Sequence, residues 1–298
     1  MIQKMFFSTH KSILTLLFCC FLISACERDI TVDLPKTESK IVVDSYVEIG
    51  LPVYVLLTRS EPYFAPITPG TLINSTEKNA IVTVSDGDTT VQLIELDTIL
   101  NGVQISGIYV SSSMFGIAGK QYSIKVMSTK GEVLTATSAL SIQIPLDSAW
   151  YQVSGELDSL GFVWAHLTDP DTLNNCYRWF AKRLGKDVDF IAPFGSSFED
   201  KFINGKSFDF AYNRGSIPNS SAIDDNNNEA GFFKKGDTIV VKFCSIDRGV
   251  YEFWRDAETQ AGNNGSPFAS PSNIKSNVIG GLGCFAAYSA TYDTVIAR

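Results

Sequence analysis

The sequence predicts a mainly β protein, with an N-terminal immunoglobulin-like β-sandwich followed by a second β-rich, sandwich-like domain with one helix. Three observations favour this class. Segments of five to nine residues with strand-forming composition follow one another at short intervals, turn signals separate them, and one segment alone has a clear helical period of apolar residues. The composition is that of a globular protein, because 12% of the residues are aromatic and only 19% are charged.

Residues 1–25 have the features of a lipoprotein signal peptide. Two lysines and a histidine precede residues 12–23, which are almost wholly apolar. This run suits a signal peptide and is too short for a transmembrane helix, which needs roughly 20 residues. It ends in Ile23-Ser24-Ala25-Cys26, the pattern that a lipoprotein signal peptidase cuts, which predicts lipidation of Cys26. The alternative is an ordinary secretory signal that leaves Cys26 as a free or paired thiol.

The chain that remains after cleavage is acidic. Because residues 1–25 contain two lysines and no acidic residue, their removal changes the formal net charge from −8 to −10. Proteins that bind nucleic acid or anionic membrane surfaces need a basic face, and basic residues do not cluster anywhere in this chain. No later segment reaches 18 apolar residues. We therefore expect no nucleic acid partner, and membrane attachment through the lipid on Cys26 alone.

We predict three segments after the signal peptide. Residues 26–40 are polar, contain Pro35 and indicate a tether. Residues 41–144 are predicted to form the immunoglobulin-like β-sandwich, and residues 145–298 the β-rich C-terminal domain. The boundary is placed at Ile144-Pro145-Leu146-Asp147, which separates two series of strand-like segments.

Turn chemistry places most of the strands. Asp86-Gly87-Asp88 and Lys130-Gly131 predict hairpins in the first domain, and Asn204-Gly205 predicts one in the second, since these residues tolerate the positive φ of tight turns. The predicted strands are Ile41–Glu48, Pro52–Pro62, Ala80–Ser85, Thr89–Leu96, Gln121–Ser128, Glu132–Ala139, Leu160–Leu167, Cys176–Leu184, Phe198–Ile203, Lys206–Tyr212, Asp237–Ile246 and Cys284–Ala297.

The predicted helix follows the strand that ends at Ile246. Asp247 is a suitable N-cap, and Gly262 is a suitable stop. Between them, apolar residues recur at helical spacing, at Val250, Phe253, Trp254, Ala257 and Ala261.

Several short blocks along the chain are distinctive in combination. They are Asp33-Leu34-Pro35, Ile41-Val42-Val43, Phe202-Ile203-Asn204-Gly205-Lys206, Ser245-Ile246-Asp247 before Tyr251 and Trp254, Ser266-Pro267-Phe268 with Pro271, and Ser276-Asn277-Val278-Ile279-Gly280-Gly281-Leu282-Gly283. Together they resemble the Bacteroidota family DUF4249, a domain of unknown function, over essentially the whole mature chain. The resemblance implies an outer-membrane lipoprotein that is often encoded beside a TonB-dependent receptor. It supplies no catalytic or binding residues, and Cys284 stands where an apolar residue is expected, which we interpret as packing.

The residue types needed for catalysis are scarce. After residue 25 the chain holds a single histidine, His166, and no G-x-S-x-G nucleophile elbow accompanies it. We interpret His166 as structural and predict that the protein is not an enzyme and needs no cofactor. A pair of carboxylates acting as in glycosidases stays open as a hydrolase alternative, because spacing alone cannot exclude it.

One loop contains hard oxygen ligands of the kind that bind calcium. We interpret it as a solvated loop without metal, because it lacks the glycine that an EF-hand places at its sixth position. A loop stiffened by calcium is the alternative, and its candidate ligands are Asp224, Asp225, Asn226, Asn228 and Glu229.

Aromatic residues crowd the region around the Asn204-Gly205 turn. They either pack in a sandwich core, which we favour, or stack on sugars or form the centre of a protein interface. They are Phe190, Phe194, Phe198, Phe202, Phe208, Phe210 and Tyr212, with Phe232 and Phe233 further on.

The remaining cysteines and glycines have structural interpretations. Cys176, Cys244 and Cys284 match no zinc spacing, and we expect buried thiols, with one disulfide or a functional thiol as alternatives. Gly280-Gly281-Leu282-Gly283 lacks the lysine of a phosphate loop. We interpret its glycines as backbone freedom for a sharp bend against a sheet.

These expectations combine into one hypothesis, a non-enzymatic outer-membrane lipoprotein that helps a TonB-dependent transporter to capture its substrate. The alternative from another class is a stand-alone surface lipoprotein that binds a glycan or a peptide, and a hydrolase comes third. Glu27-Arg28-Asp29 after the lipidated cysteine resembles the surface-export signal of Bacteroidota lipoproteins. We therefore expect the cell surface, with the periplasmic leaflet as the alternative.

Overall fold

The structure is a computed structural model that describes residues 38–61, 70–71, 75–100, 103–155, 157–215, 231–263 and 273–298. Residues Ser39–Arg298 form one compact unit. The predicted lipidation site at Cys26, the calcium candidates at residues 224–229 and the Ser266-Pro267-Phe268 block lie outside the described residues. No helix in the described ranges is long and apolar enough to cross a membrane.

Strands make up most of the described chain, which confirms the predicted mainly β, sandwich-like class. A 16-residue helix, α1, spans Arg248–Asn263, and a short 3₁₀ helix spans Asp200–Phe202. The strands are β1 Ile41–Glu48, β2 Pro52–Arg59, β3 Ile81–Ser85, β4 Thr90–Gln92, β5 Ile94–Leu100, β6 Val103–Phe115, β7 Gln121–Met127, β8 Val133–Ala139, β9 Ser148–Val153, β10 Leu160–Thr168, β11 Cys176–Arg183, β12 Ser197–Glu199, β13 Ser207–Tyr212, β14 Phe233–Lys234, β15 Thr238–Ile246, β16 Val278–Ile279 and β17 Leu282–Ile296.

The strands form three sheets. The main sheet has eight strands in the order β12-β11-β15-β17-β1-β2-β6-β5, and a second sheet has five, in the order β16-β8-β7-β3-β4. The small sheet contains β9, β10, β13 and β14, with β10 in its centre. All neighbours are antiparallel except β1 and β17, which run parallel.

Alternating side chains of the main sheet face two cores on its inner side. The first core joins β1 and β2 to the five-stranded sheet, with Val55, Tyr122 and Phe285 among its fully buried residues. The second joins β11 and β15 to the small sheet and contains Trp179. On the outer side, α1 packs over a third cluster that includes Cys244. The predicted domain boundary at residues 144 and 145 falls between the first two cores, and the main sheet continues across it.

The start of α1 is fixed as predicted. The carboxylate of Asp247 accepts a hydrogen bond from the amide of Val250 at 2.9 Å, which satisfies one of the free amides of the first turn. The same carboxylate accepts a bond from the amide of Ala139 at 3.0 Å and one from the hydroxyl of Ser138. The cap therefore also attaches the helix to the end of β8.

Two hairpins formed as predicted and one did not. The turns at Gly87 and Gly131 have φ of +93° and +85°, and join the paired strands β3–β4 and β7–β8. The predicted hairpin at Asn204-Gly205 is wrong, because β12 pairs with β11 of the main sheet whereas β13 pairs with β10 of the small sheet. The amides of Ile203 and Asn204 bond to the carbonyl of Asp200 instead, so the turn carries the chain between sheets.

The glycines before β17 allow β17 to lie directly against β1, which confirms their interpretation as a sharp bend. Gly283 has φ +94°, and a Cβ atom there would lie 2.0 Å from the carbonyl oxygen of Val43. At Gly281 a Cβ atom would lie 2.8 Å from the carbonyl oxygen of Ile41 and 2.2 Å from the side chain of Leu134. No side chain fits in these positions without a shift of the neighbouring strand.

Candidate ligand-binding face

The central strand of the small sheet has large side chains on both of its faces. Val163, Ala165 and Leu167 of β10 are fully buried in the second core. The alternate residues Phe162, Trp164 and His166 therefore project from the opposite, outer face, where they are only partly buried. A strand that covers a core on one side rarely needs two further aromatic rings on the other, so this face is a candidate for function.

Two tryptophans lie side by side on this outer face. Trp150 of β9 is the direct cross-strand partner of Trp164. Their rings are nearly parallel, with an interplanar angle of 19° and 6.3 Å between centroids. Phe162 extends the aromatic surface, and its ring lies 5.2 Å from that of Phe232. The rings of Trp150, Trp164 and Phe162 therefore lie on one face of two neighbouring strands, and we call them the apolar strip.

A row of polar groups borders this strip. His166 lies between Ser148 of β9 and Asp209 of β13 in the strand register. Its Nδ1 lies 2.5 Å from Oδ1 of Asp209, a geometry in which the imidazole N–H donates to the carboxylate. The side chains of His166 and Asp209 are 36% and 53% exposed. Gln152, next to Phe162, completes the polar border.

Several of these polar groups have no hydrogen-bond partner among the described residues. Within the described part of the chain, Nε2 of His166, Oδ2 of Asp209 and the hydroxyl of Ser148 make no hydrogen bond. We call the set of Trp150, Trp164, Phe162, His166 and Asp209, with Ser148 and Gln152, the tryptophan face. Aromatic rings beside unoccupied donors and acceptors suit ligands that have both apolar and hydroxyl or amide surfaces.

The row of Ser148, His166 and Asp209 contains the residue types of a catalytic triad, and the described contacts include the bond between His166 and Asp209. A triad needs the nucleophile within hydrogen-bond reach of the base, at about 2.6–3.2 Å. Among the described hydrogen bonds, none joins the Ser148 hydroxyl to His166. The described contacts show that the row offers hydrogen-bonding groups to a ligand.

One protein-family model matches most of this chain. The family described as a domain of unknown function, DUF4249, matches residues 27–294. The chain belongs to the DUF4249 family. No curated protein matches it. Family membership assigns no residue a role, so the tryptophan face of this DUF4249 protein is supported by its geometry alone.

The sequence of this DUF4249 chain also predicted a lipidation site and offered candidate calcium ligands. Cys26 and the candidates Asp224, Asp225, Asn226, Asn228 and Glu229 lie outside the described residues. Among the residues that are described, no group of three or more His, Cys, Asp or Glu side chains is arranged to hold a metal ion.

Most of the aromatic residues around the Asn204-Gly205 turn pack in a core, as we predicted from the sequence. Phe198, Phe208, Phe210 and Tyr212 lie against the second core, and Phe233 is fully buried. The rings of Phe210 and Tyr212 contact that of Trp179, with the Phe210 ring edge-on to it at 5.8 Å. Phe194 and Phe202 are exceptions, with exposed fractions of 69% and 78%.

The three cysteines of the described chain are free and buried, as expected. Burial disfavours the thiolate, which raises the pKa of Cys244 to about 12 and also raises those of Cys176 and Cys284. Thiols with such pKa values are poor nucleophiles at neutral pH. These residues act in packing beneath α1.

Sequence reasoning missed the tryptophan face. Trp150 lies in β9, a strand that was not predicted, and Trp164 was predicted to lie on a strand without a role. The sequence signal for this face lies in residues 160–167, where apolar residues occupy positions on both faces of the strand. Such a pattern in an antiparallel strand indicates either coverage on both sides or a binding surface.

Proposed function

We propose that the protein is a non-enzymatic outer-membrane lipoprotein of Bacteroidota that assists a TonB-dependent transporter in capturing its substrate. The tryptophan face carries the capture part of this proposal. The lipidation signal at Cys26 supports the anchor, and the resemblance of the sequence to DUF4249 lipoproteins supports the transporter partner.

The energetics of acyl-chain burial supports a stable lipid anchor. Each buried methylene of an acyl chain contributes roughly 0.8 kcal/mol to membrane binding, and one chain alone binds marginally. A diacylglycerol on Cys26 supplies two chains, which is enough for stable attachment. The residues after it, Glu27-Arg28-Asp29, support presentation at the cell surface. Protease treatment of intact cells tests this, since a fully protected body would place the protein in the periplasmic leaflet.

Capture at the tryptophan face is tested by binding measurements on the isolated protein. Ligands that stack on Trp150 and Trp164 should change tryptophan fluorescence in titrations with cello-, xylo- and malto-oligosaccharides and with tryptic peptides. We expect Trp164→Ala to weaken binding about tenfold, which corresponds to roughly 1.4 kcal/mol. Phe202→Ala is the matched control, because it removes an exposed aromatic ring outside this face. Equal loss of affinity in both variants would refute capture at this face.

The transporter partner is tested by affinity purification from detergent-solubilised outer membranes. We expect a TonB-dependent receptor to co-purify with the tagged wild-type protein. A preparation that binds ligand but recovers no receptor would favour the second candidate, a stand-alone glycan- or peptide-binding lipoprotein. That candidate is favoured by the same combination of tryptophan rings and free hydrogen-bonding groups.

A further inference from the structure

The outer face of the main sheet has a second group of aromatic and charged residues beside α1. Helix α1 covers the outer side chains of β11, β15 and β17, including Cys284 and Ala286. In the strand register, Asp44 and Tyr46 of β1 lie directly beside these two residues. Unlike them, Asp44 and Tyr46 are exposed. The sheet therefore presents an uncovered strip of side chains next to the helix.

Two tyrosines form the centre of this strip. Tyr46 of β1 and Tyr54 of β2 are direct cross-strand partners. Their rings are stacked, with 5.1 Å between centroids and 23° between planes. Tyr46 is 37% exposed, so part of the stacked pair is available to a ligand. The face of an aromatic ring carries negative electrostatic potential and attracts cations.

Asp44 supplies a carboxylate beside this pair, and this carboxylate has no bonded partner among the described residues. Although the Asp44 side chain reaches solvent, partial desolvation by the surrounding protein raises the pKa of its carboxyl, an effect that the positive charge of Arg178 opposes. Within the described part of the chain, Asp44 makes neither a hydrogen bond nor an ion pair. Glu48, two positions past Tyr46 on the same face, differs, because it bonds to both Lys242 and Tyr292. Of these two acids on β1, only Asp44 lacks a bonded partner.

Arg178 does not pair with the Asp44 carboxylate, because its guanidinium is bound by other groups. It is 96% buried, and its guanidinium lies 3.4 Å from the ring centroid of Trp254 and 4.8 Å from that of Phe180. It donates a hydrogen bond to the hydroxyl of Tyr288 at 3.2 Å. Arg178, the cation that acts on the Asp44 carboxyl, is therefore fixed beneath the helix rather than paired with the carboxylate.

Three carboxylates act on the tyrosine pair, and one of them, Glu48, is itself paired with Lys242. Burial raises the pKa of the Tyr46 hydroxyl, and the carboxylates of Glu48, Asp189 and Asp44 raise it further. Burial, Asp44 and Tyr46 raise the pKa of Tyr54 to about 12. The charge complement of such a surface is a cation with an apolar body, since the rings offer apolar area and the carboxylate offers an ionic acceptor.

We propose that Asp44, Tyr46 and Tyr54 form a binding site for a small organic cation that carries an ammonium or guanidinium group. The charged group lies over the exposed tyrosine ring and pairs with the Asp44 carboxylate. This site is separate from the tryptophan face and does not depend on the proposed function.

The test uses agmatine, which carries both an ammonium and a guanidinium group, and the full chain purified in detergent. Ligand-detected NMR titrations are run at low ionic strength, because salt weakens interactions at exposed charges. We expect saturable binding of agmatine and none of neutral 1,4-butanediol. Asp44→Asn and Tyr46→Leu should each weaken agmatine binding at least fivefold.

The matched control is Asp88→Asn, which removes a carboxylate that is 79% exposed on the β3–β4 hairpin. It should bind agmatine as the wild type does. Circular dichroism identifies a variant that fails to fold, and Asp44→Asn is expected to keep its fold because it removes no internal bond. Equal agmatine binding by the wild type and a folded Asp44→Asn variant, or an absence of saturable binding by the wild type, would overturn the proposal.

Discussion

Gly283 stands at the closest approach of two strands that lie far apart in the sequence. A Cβ atom at this position meets the carbonyl of Val43 at 2.0 Å, and the residue also has φ +94°. We expect Gly283→Ala to lower the free energy of unfolding by at least about 3 kcal/mol, from strain and displacement of β1 together. Gly87→Ala is the control, because Gly87 has φ +93° but open space around it, and it should cost only about 1 kcal/mol. Denaturant unfolding measures both, and similar losses would contradict the close contact.

Asp86 gives the β3–β4 hairpin a pH dependence. Its carboxylate accepts hydrogen bonds from Lys120 and from the amides of Asp88 and Thr89, which lower its pKa to about 2. A carboxyl whose pKa is lower in the folded than in the unfolded chain stabilises the protein above the unfolded value, roughly pH 4. That contribution is lost as the pH falls towards 2. We expect the melting temperature of Asp86→Asn to change less between pH 4 and pH 2 than that of the wild type. Identical profiles would show that Asp86 is not coupled to folding.

At the scale of elements, Asp247 joins α1 to β8. Replacing it with alanine removes the helix cap and the acceptor for the amide of Ala139. We expect Asp247→Ala to lower the free energy of unfolding by about 2–3 kcal/mol, the sum of a cap and a buried hydrogen bond. Glu252→Ala is the control, because it removes only surface ion pairs with Arg248 and Lys275. The prediction fails if the two variants unfold at the same denaturant concentration.

The elements that the sequence predicted well are those with a local signal. The bounds of β1 match the prediction, and the β7–β8 hairpin follows from its Lys130-Gly131 turn. Strand β6 was missed because it contains three consecutive serines and Gly107, whose φ is +78°. Asn204-Gly205 has a local hairpin signal, but tertiary pairing sends its two neighbouring strands into different sheets.

At the scale of the whole molecule, the tryptophan face was not predictable because it is assembled from separate segments. Trp150, Trp164 and Asp209 come from three strands, and only their register brings them together. The strip of Asp44, Tyr46 and Tyr54 depends in the same way on the pairing of β1 with β2 and β17. A single sequence shows which residues alternate on a strand, but not which strands are neighbours.

The pairing of strands in the main sheet indicates whether the predicted first domain can fold independently. Phe285 and Ala287 of β17 complete the first core, although they lie in the predicted second domain. We therefore expect a fragment of residues 39–144 to lack a cooperative thermal transition in circular dichroism, because its β1 edge and its core are left open. The chain of residues 39–298 should melt cooperatively. A cooperative transition in the short fragment would show that the predicted first domain folds independently.

We propose that a lipid on Cys26 holds this protein at the outer membrane, where it captures substrate for a transporter. Cys26→Ser removes the thiol that accepts the diacylglycerol, and the acidic body offers no attraction to anionic lipid that would compensate. Membrane fractionation of cells that express this variant is the most direct test. We expect that Cys26→Ser keeps its uncleaved signal or appears in the soluble fraction, with a normal β-type circular dichroism spectrum. Cys26→Ser that is still processed at the same site and sediments with outer membranes would contradict the lipid anchor and the capture function built on it.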